Sequence, residues 1–178
     1  SDVQREFLER AVAFYDQLDD WQPTGSTTKF DSAQTKIRMG RLYHWLGGKT
    51  NLENAERRLS EALALLQQIE DRDVEKRHVQ YQLAWCYYEL AETAGQISTP
   101  AQQRRLQYLE QARTILDELK QTYASSPSVL TAEGDWLMAH ERFDEAIENY
   151  QEVHRIRPGP LSVRTLIKSH FIAGQNAK

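Results

Sequence analysis

The side chains that could ligate a metal, carry protons or act as nucleophiles are few in this chain and stand apart. Its five histidines, His44, His78, His140, His154 and His170, fall in different predicted helices. No two are four residues apart, the spacing at which one helix face offers two imidazoles to a metal. Cys86 is the only cysteine, which excludes an intramolecular disulfide and a cysteine-rich metal site. Its neighbours Leu83-Ala84-Trp85 and Tyr87-Tyr88 read as a packed helix, in which a cysteine is a small buried hydrophobe. Gly47-Gly48-Lys49-Thr50 has the lysine and hydroxyl of a phosphate loop but lacks the upstream glycine and strand, so it reads as a helix stop and start. Acidic pairs such as Asp19-Asp20 and Asp144-Glu145 sit at helix ends, where carboxylates are solvated or favour the helix dipole. These residues offer no catalytic constellation, metal site or cofactor site, and an enzyme is not expected.

Bulk composition points the same way. The 178 residues are 40% hydrophobic and 27% charged, with 8 Gly and 5 Pro, which fits a helix-rich chain rather than a disordered or fibrous one. Mean hydropathy is −0.70, polar enough for an elongated array whose helices each keep one face in water. A net charge of −4 lacks the basic footprint of a nucleic-acid binder. No apolar run approaches the roughly 20 residues that span a bilayer, so no membrane insertion is expected. No signal-peptide pattern opens the chain, which begins Ser1-Asp2 without Met; the compartment stays open between cytoplasm and periplasm.

Positioning any site in such a chain falls to helices, and about eight are predicted. The first covers residues 2–19 and is broken by Pro23 and Gly25. The second covers 29–46 and stops at Gly47-Gly48. Thr50 and Glu53 form a predicted capping box for the third, which reaches residue 70. Asp71-Arg72-Asp73 is a short link implying an antiparallel neighbour. The fourth runs over 74–94 with Gly95 as its stop. Ser98-Thr99-Pro100 opens a fifth that extends to 123, and Ser126-Pro127 opens a sixth that extends to 140. The seventh spans 143–156 and the eighth 161–173, ended by Gly174. No segment alternates long enough at period two to make a sheet.

Four of these helices share one pattern around Ala11, Ala62, Ala112 and Ala146. Each alanine has an apolar residue three before it and others four and seven after, as in Leu59, Ala62, Leu66 and Ile69. This is one helix face packing closely at the alanine. The intervals between alanines are 51, 50 and 34 residues, and self-similarity of this kind marks stacked helical units. Leu130, Gly134, Leu137, Ala146, Tyr150 and Pro158 match the 34-residue signature, so this segment resembles a tetratricopeptide repeat. Glu133 departs from the pattern at a normally apolar position. Met39, Gly40 and Tyr43 with Ala62, and Leu83, Ala84 and Tyr87 with Ala112, fit two longer repeats that need extra helical turns or longer loops. Ala11, Tyr15, Leu18 and Pro23 resemble the second half of another.

The resemblance implies an all-α, right-handed solenoid of antiparallel helix pairs forming one repeat domain, a slice of a longer array or one carrying its own caps. It also implies a concave groove lined by the first helix of each repeat. Carried over residue by residue, that surface comprises Gln34, Ile37, Arg41, His44 and Trp45, then His78, Tyr81, Trp85, Tyr88 and Glu89. The third repeat adds Ser128, Thr131, Asp135 and Met138. Aromatics with arginine commonly dominate binding energy, and they suit an extended or helical partner segment oriented by Arg38 or Arg41. The alternative for Trp45, Tyr81 and Trp85 is space-filling between long helices. Ile37, Arg41, Tyr81 and Trp85 stand where chaperone-tail clamps of the family carry Lys, Asn and Arg, which argues against that ligand. The expected role is a non-enzymatic protein or peptide scaffold. Alternatives are a periplasmic scaffold of a bacterial envelope or exopolysaccharide export assembly, and a regulatory module of a larger enzyme such as a bacterial Ser/Thr kinase. Self-association through apolar faces of the outer helices is a further reading.

Overall fold

The computed structural model describes residues 2–18, 26–69, 76–97 and 101–176. Among the described residues there are eight α-helices and no strand, so the chain is all-α. The helices are α1 (Asp2–Leu18), α2 (Ser26–Leu46), α3 (Lys49–Leu66), α4 (Lys76–Ile97), α5 (Ala101–Tyr123), α6 (Pro127–Ala139), α7 (Phe143–Ile156) and α8 (Pro160–Asn176). The expected signals at Asp19-Asp20, Pro23, Gly25, Asp71-Arg72-Asp73 and Ser98-Thr99-Pro100 lie outside the described residues. Among those described, no helix is long and apolar enough to cross a membrane. The molecule divides into two compact units, Ser1–Ala112 and Arg113–Lys178, with the division inside α5.

In the first unit α2, α3 and α4 pack around Ala33, Ile37, Leu59, Ala62, Leu66, Cys86 and Leu90. Alanine and glycine set the spacing: a Cβ on Gly40 would lie 2.6 Å from Leu59 Cγ, so only glycine lets α2 and α3 come this close. Val12 brings α1 onto Tyr43 and Ala55. The stop at Gly47-Gly48 forms as expected. Both glycines have positive φ, +66° and +79°, a region costly for other residues. The Gly47 N–H donates to the carbonyls of Tyr43 and His44.

Two expectations for this unit are corrected. The Thr50–Glu53 capping box is absent, because α3 already begins at Lys49 with Gly48 as its cap and no side-chain cap bond. Asn51 instead donates its amide to the Gly47 carbonyl at 2.8 Å. Gly95 does not stop α4, which continues to Ile97. One interior glycine costs a helix only about 1 kcal/mol, and Arg105 of α5 packs where a Cβ would be, 3.1 Å away. The 50- and 51-residue intervals arise from extra helical turns. α2, α4 and α5 have 21, 22 and 23 residues against 13 and 14 in α6 and α7, a surplus of about two turns each.

In the second unit α6 and α7 form the short pair. Pro127 opens α6 in its first turn, although Ser126 makes no side-chain cap bond. The helix ends with the Arg142 N–H on the Leu137 carbonyl and the Glu141 N–H on that of Met138, which requires a left-handed residue between helix and exit. That residue is Glu141, at φ 59°. α7 has Asp144 and Glu145 in its first turn and His154 and Arg155 in its last, both favourable to the helix dipole. Leu137, Ala146 and Tyr150 form the core, with Trp136, Met138 and Leu166 against it. Glu133, at the normally apolar position, is buried and ion-paired to Lys120 Nζ at 2.5 Å and Arg113 Nη1 at 3.6 Å, both from α5. Gly174 is exposed inside α8, which runs on to Asn176, so it is not the expected stop.

Candidate functional site

On α2, Ile37 and Arg41 are one turn apart, as are Tyr81 and Trp85 on α4, so the two helices face each other with two short rows of side chains. Together with Gln34, Arg38 and Gln82 these residues line a cleft of about 210 Å³. Ile37 is 4% exposed and joins the cleft to the core. Tyr81 and Trp85 are half-buried.

Arg41 organises the aromatic wall. Its guanidinium carbon lies 5.1 Å from the Trp45 ring centroid and 5.3 Å from that of Trp85, within cation–π range of both. Glu89, one turn beyond Trp85 and 8% exposed, places Oε1 2.9 Å from Arg41 Nε. That nitrogen has no aligned hydrogen bond, so the pairing is ionic. Tyr88 extends the wall, its ring centroid 5.7 Å from that of Trp85. Trp45 remains 59% exposed. Arg41 is thus spent on Glu89 and two indoles, whereas Arg38 lines the same cleft, is exposed and has no ion pair among the described residues.

The other expected site residues have different surroundings. His44 joins α2 to α4: its Nδ1 is 3.2 Å from Thr93 Oγ1 and its Nε2 2.9 Å from Gln96 Nε2. An amide nitrogen can only donate, so His44 Nε2 accepts and Nδ1 carries the proton. Burial holds the His44 pKa below its ordinary value, with Arg41 acting in the same direction and Glu92 opposing. His78 is exposed on α4 and does not line the cleft. Asp135 and Met138 belong to the second unit, where Asp135 Oδ1 accepts from the Tyr150 hydroxyl at 2.7 Å and Met138 packs on the α6–α7 core. Gln82 was not in the expected groove set, and Arg38 was expected only as an orienting residue beside it. Gln82 follows Tyr81 and sits one turn after His78, so the helical period alone could have placed it.

Reactive chemistry has no footing around Cys86. The thiol is fully buried, donates to the Leu59 carbonyl at 3.2 Å, and is pushed far above its ordinary pKa by burial and then by the Glu89 charge. A thiol so held is not a nucleophile. Among the described residues no three His, Cys, Asp or Glu side chains gather as a metal site would need. The second unit has its own arginine–tryptophan contact, Arg113 lying 4.8 Å from the Trp136 centroid, with Trp136 stacked on His140 at 3.7 Å. It also has a wide depression of about 750 Å³ bordered by Asp144, Glu148, Gln151 and His170. Compared with known proteins, the chain matches no family model and no curated protein.

Proposed function

We propose that this chain is a non-enzymatic interaction scaffold of the tetratricopeptide kind, its helix pairs repeating in the right-handed sense of that family. It holds an extended segment of a partner protein in the α2–α4 cleft. The observation that carries this reading is the contrast between two arginines one turn apart. Arg41 is neutralised and fixes the indoles, while Arg38 presents an exposed guanidinium with no ion pair among the described residues beside an aromatic wall. A free guanidinium takes a carboxylate through two parallel hydrogen bonds, and indole and phenol faces take proline or aromatic side chains. At about 210 Å³ the cleft is smaller than the roughly 300–1,000 Å³ typical of small-molecule sites. It suits one or two side chains of a peptide, and Gln34 and Gln82 can bond its backbone. The ligand is therefore a segment with an acidic residue beside a proline or aromatic one.

Selection of a random peptide library on the folded chain tests this, with enriched peptides retested by fluorescence anisotropy. Enrichment of acidic residues next to proline or aromatics is expected, with binding weakened about tenfold or more by Arg38→Glu. Trp85→Ala, checked for helicity by circular dichroism, should weaken it comparably. Peptides that bind the Arg38→Glu variant as tightly as the parent would remove the cleft from the reading.

A further inference from the structure

Arg38 and Trp45 stand seven residues apart on α2, which places them nearly in line. Seven steps of about 100° fall about 20° short of two full turns, and a rise of about 1.5 Å per residue separates the two positions by about 10.5 Å along the helix. Both side chains are exposed, Trp45 at 59%. Arg41, one turn before Trp45, holds the indole with its guanidinium carbon 5.1 Å from the ring centroid, and is itself anchored by Glu89 and Trp85. An indole held in this way and still mostly in water offers ring surface to a ligand and has little side-chain freedom left to lose on binding. Arg38 lines the cleft and has no ion pair among the described residues. α2 therefore presents a cation and a fixed indole on one line, at a set separation.

We propose that Trp45 is a second subsite of the α2–α4 cleft, reading a proline or aromatic ring three residues away from the acidic residue that Arg38 takes. The inference rests on the proposed function and adds a register to it. The separation selects the conformation of the bound segment. In an extended strand, side chains on one face lie about 6.6 or 13.2 Å apart, at two or four residues. In polyproline II, residues three apart share one edge and lie about 9.3 Å apart, the nearer match to the spacing on α2. A helical segment would match at seven residues, but a cleft of about 210 Å³ admits side chains and not a helix about 10 Å across. Proline in the segment favours the same conformation and lowers the cost of ordering it.

Fluorescence anisotropy with labelled peptides tests this. The reference peptide carries one Glu beside one Pro in a serine background, and the series adds a single Phe at two, three, four or seven residues from the Glu, on either side. Phe at three residues on one side should tighten binding about tenfold over the reference. Trp45→Ala, which removes an exposed side chain and should keep parental helicity, should abolish that gain and leave the affinity for the reference peptide unchanged. A gain largest at two, four or seven residues, or one that survives Trp45→Ala, would overturn the proposal. If Arg38→Glu weakens the reference peptide but Phe adds nothing at any spacing, the register is wrong and the proposed function stands. If the reference peptide does not bind, or binds Arg38→Glu as tightly as the parent, the proposed function fails and this inference fails with it.

Discussion

Replacing Gly134 by alanine should destabilise the second unit even though alanine is the better helix former. A Cβ at this position would lie 2.5 Å from Tyr150 Cε1 and 2.8 Å from its Cζ, roughly 1 Å inside ordinary carbon contact. The ring cannot easily retreat. It is 3% exposed, and its hydroxyl donates to Asp135 at 2.7 Å. Helix propensity returns about 1 kcal/mol to the variant. Against that stand about 1–3 kcal/mol for overpacking and about 1.5–3 kcal/mol if the phenol leaves its charged acceptor. The net loss expected is about 2 kcal/mol.

Because the chain has two units, one global unfolding curve would mix their stabilities. Native-state hydrogen exchange of α7 amides reads the second unit alone, and about 2 kcal/mol corresponds to roughly thirtyfold faster exchange of the best-protected ones. Adding Tyr150→Leu to Gly134→Ala should restore part of the loss relative to the sum of the single effects, because the clashing ring is gone. If Gly134→Ala exchanges as slowly as the parent, the glycine is not there to admit the tyrosine, and the account of α6–α7 packing fails.

Three further outcomes are expected. Lys120→Met should cost about 1–2 kcal/mol by stranding the buried Glu133 carboxylate with only the longer Arg113 contact, while Lys120→Met with Glu133→Leu should recover the parental exchange rates of the α7 amides. Glu141→Gly should raise stability by about 0.5–1 kcal/mol in the same measurement, since it relieves the positive φ of 59° at the α6 exit and loses only part of that to chain entropy. The His44 pKa is depressed in the fold, so between that value and the ordinary 6.5 the unfolded chain binds the extra proton. Stability should therefore be full above about pH 7 and fall as pH drops through 6.5 toward the folded value, and His44→Gln should flatten that part of the profile.

The alanine frame was legible because it is set by contact distance. Ala62, Ala112 and Ala146 are all fully buried, and a larger side chain would hold the paired helices apart. Helix length was not legible, since counting residues between alanines cannot separate a longer helix from a longer loop. Gly95 and Gly174 read as stops by the same rule that works at Gly47, yet among the described glycines only Gly47 and Gly48 have the positive φ that makes glycine necessary. In the candidate site, Ile37, Arg41, Tyr81 and Trp85 came together as helical spacing on two neighbouring helices dictates. The partners of His44 and Asp135 did not show, because they lie 49, 52 and 15 residues away.

Glu133 and Glu89 show why charge roles needed the structure. Glu133 looked like a defect in an apolar position, and Lys120 and Arg113 from the preceding helix turn it into a buried ion pair. Glu89 looked like one more groove-facing group, and by occupying Arg41 it leaves Arg38 as the cleft arginine with no ion pair among the described residues. An arginine already paired must lose its partner before it can take a ligand, which costs free energy; an exposed one gives up only water. On the proposed reading the same residue type one turn apart serves architecture in one case and recognition in the other, and the neighbouring carboxylate decides which.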